Sequence, residues 1–82
     1  MARPMNERLA HVVRVCLARA GSGNRESTRA LCSCIEEPDG EQLLAELVRR
    51  AHRNARLADG VRLMFDVSSV NQVAQRFGVA PL

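Results

Sequence analysis

Cys16, Cys32, Cys34, His11 and His52 are the residues of this chain best suited to hold a metal, because thiolates and imidazoles are the donors zinc prefers. Their spacing argues against such a site. On one helix, positions 32 and 34 point about 200° apart and cannot reach the same ion unless the helix breaks between them. No metal and no cofactor is therefore expected. Each thiol falls inside a predicted helix, where cysteine behaves as a small hydrophobe. The odd number of cysteines, with no signal peptide, points to reduced thiols in the cytoplasm. Catalysis is no better served. Glu36, Glu37, Asp39 and Glu41 cluster around the Pro38 turn, but without a glycine-rich phosphate loop or a buried partner they read as solvated charge. Neither histidine has a Ser or Cys partner at helical spacing, and His11 borders an apolar stripe as a boundary residue does. The sequence predicts no enzyme and no catalytic residues.

Cationic chemistry is the stronger signal. The chain has 12 Arg and no Lys against 9 acids, a formal net charge of +3. Codon usage in a GC-rich genome accounts for the missing lysine more simply than selection for bidentate guanidinium contacts. Most arginines are interleaved with acids, so no single face carries the excess. The exception is Arg49, Arg50, Arg53 and Arg56, a basic strip with His52 inside it. This strip is the candidate contact for an acidic partner or a phosphate backbone. Glu46 at its edge and the lack of an interleaved aromatic to stack on a base weaken the nucleic-acid reading.

Four short helices are expected to position these groups. From Glu7 to Ala20, Leu9, Val12, Val13, Cys16, Leu17 and Ala20 recur at helical spacing as one stripe, with Asn6 as N-cap and Gly21 at C′. After the flexible residues 21–24, a thinner stripe of Thr28, Leu31, Cys32 and Ile35 predicts a second helix from about Arg25 to Glu36, stopped by Pro38. Asp39 with Gln42 has capping-box spacing for a third helix from Gly40 to about Leu57. Its buried face is Leu44, Leu47, Val48, Ala51, Ala55 and Ala58, with Leu43 at the margin, and Asp59-Gly60 ends it. The stretch 61–67 is ambiguous: Val61, Leu63, Phe65 and Val67 alternate as in a strand, while Val61, Met64 and Phe65 also line up as in a helix. A lone strand would lack a ladder partner, so helix or irregular structure stands ahead of strand. Ser69 with Gln72 starts the last helix, which buries Val70, Val73, Ala74 and Phe77 before Gly78. The fold class is thus all-α, a small bundle of about four short helices in one domain over 1–82, with a strand-like segment at 61–67 as the open alternative.

The stretch from Ser69 to Val79 resembles the front half of a helix-turn-helix, with Val73, Ala74, Phe77, Gly78 and Val79 at the spacing of that motif's first helix and turn. The resemblance covers about ten residues and implies a DNA-binding regulator, provided a recognition helix follows Leu82 or a dimer completes the motif. An amphipathic helix with a glycine C-cap has the same residues.

A small chain with Phe65 and Phe77 as its only aromatics buries limited area, so self-association would supply what the core lacks. The apolar segments are too broken by charge to cross a membrane. These observations predict a cytoplasmic interaction module, acting as regulator, adaptor or chaperone, that buries apolar surface against another protein and forms a homo-oligomer, in the first instance a homodimer. Leu9, Val13, Leu44, Leu47 and Val48 are the expected core. Met64, Phe65, Val70 and Phe77 are the expected interface.

Overall fold

The computed structural model describes residues 4–22 and 38–82. The second predicted helix, which carries Cys32, Cys34 and Glu36, lies outside the described residues, as does Glu37 after it. Those that are described form four helices and no strand: α1 (Met5–Ser22), α2 (Gly40–Ala51), α3 (Ala55–Met64) and α4 (Val67–Arg76). Helix α1 lies chiefly on α3, and α2 chiefly on α4. The core between them is aliphatic, built on Leu9, Val12 and Cys16 of α1, Leu43, Leu47 and Val48 of α2, and Leu57 and Val61 of α3.

Helix α1 starts earlier and ends later than its stripe suggests. The Pro4 carbonyl accepts the first bonds, from the backbone N–H of Glu7 at 3.1 Å and of Arg8 at 3.2 Å, so the cap lies before Asn6, and the helix runs through Gly21. Val13, expected in the core, is partly buried at its edge.

Helix α2 begins as predicted, with Asp39 accepting from the Leu43 N–H at 2.9 Å, but the Asp39 side chain makes no capping bond. Its carboxylate instead pairs with the buried guanidinium of Arg8 and ties α2 to the start of α1. Leu43, placed at the margin by its spacing, is fully buried. Helix α2 also stops at Ala51 rather than near Leu57. Arg53 and Asn54 donate to carbonyls three residues back, and the Asn54 side chain then accepts from the N–H groups of Arg56 at 3.1 Å and Leu57 at 3.2 Å. That cap satisfies donors at the start of a new helix, which is why one continuous apolar register is cut in two.

Asp59-Gly60 does not end a helix. Gly60 sits inside α3, where α1 crosses so closely that an added Cβ would lie 2.6 Å from the Cys16 carbonyl carbon and 3.1 Å from its Cα. A missing side chain here lets two backbones approach, which outweighs the propensity cost of glycine in a helix. The strand-like stretch 61–67 is helical through Met64, then extended at Phe65 (φ −128°, ψ 157°) and Asp66 before α4 begins. The N-cap of α4 is Asp66 rather than Ser69, whose hydroxyl donates to the Asp66 carboxylate at 2.6 Å from within the first turn.

Helix α4 ends as its glycine predicts. Gly78 takes φ +72°, its N–H donates to the Gln75 carbonyl and that of Val79 to the Ala74 carbonyl, both at 3.0 Å. These two bonds are a Schellman motif, and Val79 and Ala74 are both buried beneath it.

Candidate functional site

Beyond the Schellman turn the chain folds back toward α2. The carbonyl of Ala80 can only accept, so the 2.7 Å contact from His52 Nε2 is an N–H donated by the imidazole. Leu82 donates its backbone N–H to the Asn71 side chain at 2.9 Å, and its own side chain packs on the core. The result is an open groove of about 610 Å³. One wall is the end of α2 and the turn after it, carrying Glu46, Arg49, Arg50, His52 and Arg53; the other is the backbone of residues 78–80.

The predicted basic strip is thereby split. Arg49, Arg50 and Arg53 line the groove, whereas Arg56 does not, because the Asn54 cap carries it onto the first turn of α3. Arg49 is held by Glu46 at 3.1 Å, a solvated pair worth little to stability. Among the described residues, the ion pairs engage neither Arg50 nor Arg53. Both are exposed, so the groove presents two cations that no carboxylate pairs, the Glu46 carboxylate in its wall being taken by Arg49.

The four predicted interface residues do not form one surface. Val70 is 3 % exposed and belongs to the core, and Met64 and Phe65 are partly buried against it. Phe77 is 42 % exposed. A helix of this length spans about 15 Å, so α4 holds Phe65 and Phe77 apart at its two ends. Phe77 directly precedes Gly78 of the groove wall in the chain but is not among the residues that line the groove. Leu63, at 58 % exposed, is a further large apolar residue in water and was missed by the sequence reading. The helical spacing of Val61, Met64 and Phe65 contained the signal, since it leaves Leu63 on the opposite side.

Cys16 is fully buried, and burial pushes its thiol up from 9.0 to about 11. It packs as a core side chain at the α1–α3 crossing. Among the described residues no three His, Cys, Asp or Glu come together in a way that could hold a metal ion, and no helix is long and apolar enough to cross a membrane. Comparison with protein-family models, curated proteins and solved structures finds no match to this chain.

Proposed function

We propose that this chain is a small helical interaction module, working in the cytoplasm as a regulator, adaptor or chaperone, that binds another protein and also associates with itself. The observation that supports this best is the exposure of Leu63 and Phe77, when the other large apolar side chains among the described residues are buried or partly covered. Phe77, exposed at the C-terminal end of α4, serves as the apolar anchor for a partner. Leu63, next to the half-buried Met64 and Phe65 at the other end of α4, serves self-association. Two separated surfaces suit a dimer that carries one partner on each copy.

Light scattering on the purified chain, with and without a mixed-sequence duplex at low salt, tests this. A dimer that Leu63→Ser converts to monomer supports the reading. A monomer at every concentration, unaffected by Leu63→Ser, removes the self-association step. Duplex binding would favour the second reading, a DNA-binding regulator. That reading draws on α4 and its turn: Gly78 at φ +72° with Val79 turned into the core is the geometry of a helix-turn-helix entry as well as of a Schellman cap.

A further inference from the structure

We infer that residues 80–82 are an intramolecular strap seated in a peptide-binding slot between α2, α3 and α4, and that an uncharged, proline-containing segment of the partner protein displaces it. This rests on the interaction reading above and names the chemistry of the partner segment. The chain's own Ala80, Pro81 and Leu82 show what the slot recognises. His52 donates to the Ala80 carbonyl at 2.7 Å, and Asn71 accepts the Leu82 N–H at 2.9 Å. The Leu82 side chain packs on the core. Between the two bonds, Pro81 has no N–H to satisfy and restricts Ala80 to extended backbone. Main-chain hydrogen bonds that give affinity, with a pocket for one side chain, are the terms in which proteins bind extended peptides.

Two features make the strap displaceable. Its hold is slight: Ala80 and Pro81 are exposed and Leu82 is half-buried, so two hydrogen bonds and one partial burial oppose the entropy lost in ordering three residues. It also underfills its seat. Pro81 borders an open hollow of about 370 Å³ over Ala51, Ala55 and Ala58, and another of about 290 Å³ along Ser68, Gln72 and Gln75 of α4. A longer segment entering the same slot gains both. The charge of these hollows sets the class of occupant. In the first, Asp59 and Arg62 pair with each other at 3.3 Å. The second carries no charged side chain among the described residues. An uncharged segment suits both, whereas a phosphate backbone or a run of carboxylates meets no unpaired arginine among the described residues that line them.

The test is a nuclear magnetic resonance titration of the isotope-labelled chain with an acetylated and amidated peptide, Gly-Ala-Pro-Leu-Ser, which repeats residues 80–82 in trans. A control peptide has Ser in place of its Leu and should not bind. As the first peptide enters, the Leu82 amide should lose its protection from hydrogen exchange. Leu82→Ser frees the strap and leaves the slot intact, so it should bind the peptide about tenfold more tightly, the factor expected when a strap closed about nine-tenths of the time stops competing. Pro81→Gly, which gives the open strap more freedom, should shift affinity in the same direction and serves if circular dichroism shows that Leu82→Ser disturbs the helices. Asn71→Ala and His52→Ala each remove one of the slot's contacts to the peptide backbone and should each weaken binding when combined with Leu82→Ser.

Equal affinity in the parent chain, Leu82→Ser and Pro81→Gly overturns the strap. No binding to any of the three overturns the slot. Binding that survives both Asn71→Ala and His52→Ala, or that the Ser control matches, places the peptide elsewhere and overturns the inference as well. The interaction reading is judged separately, by the effect of Leu63→Ser on self-association, because Leu63 is not among the residues that border the slot.

Discussion

Gly60→Ala distinguishes the packing described here from an ordinary exposed helix, because the two cases predict opposite signs. In a solvent-facing helix interior the substitution stabilises by about 0.8 to 1.0 kcal/mol through propensity alone. Here the new methyl would lie 2.6 Å from the Cys16 carbonyl carbon, and the three atoms nearest to it are all backbone, so the clash is not relieved by a side chain swinging aside. Reaching ordinary contact requires α1 and α3 to separate by roughly 1 Å, a gap that forfeits a quarter to a half of each dispersion well across the interface. Leu9, Val12 and Cys16 on one side and Leu57 and Val61 on the other are the buried side chains affected. With about 2 kcal/mol of burial for each and about a third of it lost, the interface loses about 3 kcal/mol. Subtracting the propensity gain leaves a net destabilisation of about 2 kcal/mol, within the range for overpacked cores.

Urea denaturation followed by far-ultraviolet circular dichroism measures this difference, with Asp59→Ala as control. Asp59 is an exposed neighbour on the same helix whose pair with Arg62, at 3.3 Å, is solvated, so its replacement should shift stability by less than about 0.5 kcal/mol. If Gly60→Ala raises stability by the propensity increment, α1 does not cross α3 at Cys16, and the account of the core fails with it.

Three further outcomes are expected. Leu47→Ala removes a fully buried side chain and should cost ~2 to 5 kcal/mol, a large part of the total for so small a domain; a loss under about 1 kcal/mol would place Leu47 on the wrong face of α2. Asn54→Ala deletes both capping bonds of α3 and should cost about 1 kcal/mol in the same denaturation assay, while an unchanged midpoint would mean that α2 and α3 need no cap to separate. The Cys16 thiol ionises at 9.0 when unfolded but only near 11 when buried, so its contribution is fully present below pH 9 and is lost as pH climbs from 9 to 11. Stability measured across that window should fall less steeply in Cys16→Ala than in the parent chain, and identical slopes would show that the thiol is not held in the core.

Local periodicity made much of the bundle readable and also set the limits of that reading. Leu9, Val12 and Cys16, like Leu44, Leu47 and Val48, recur on one side of a helix because each helix has one face to bury, and that demand is written in adjacent turns. Gly78 was equally legible, since a Schellman turn is closed by bonds within five residues of its own helix. The break after Ala51 was not, because Ala51 and Ala58 stay in register with Leu47 whether or not the backbone bonds continue. Only Asn54, an ordinary N-cap residue, marked it. Gly60 was read as a stop from its own propensity, yet its place inside α3 is decided by α1, more than forty residues away in sequence. The alternation of Val61, Leu63, Phe65 and Val67 misled for a related reason: one turn of helix with Leu63 left in water, ending in two extended residues, produces the same apolar spacing as a strand.

The candidate site lay beyond local reading altogether, and the two interruptions explain why. Had α2 continued to Leu57, Arg49, Arg50, Arg53 and Arg56 would have stood together on one solvated stripe facing water, with nothing opposite. The Asn54 cap ends the helix at Ala51, leaves Arg53 and His52 on the turn, and removes Arg56 to α3. The Gly78 turn then brings Ala80 to His52 across twenty-eight residues, and a stripe of arginines acquires an opposing wall. Neither device has any charge or reactivity of its own. A cap and a left-handed glycine, each of local origin, convert a scatter of surface cations into one wall of a groove, and the juxtaposition exists only once both helices have packed.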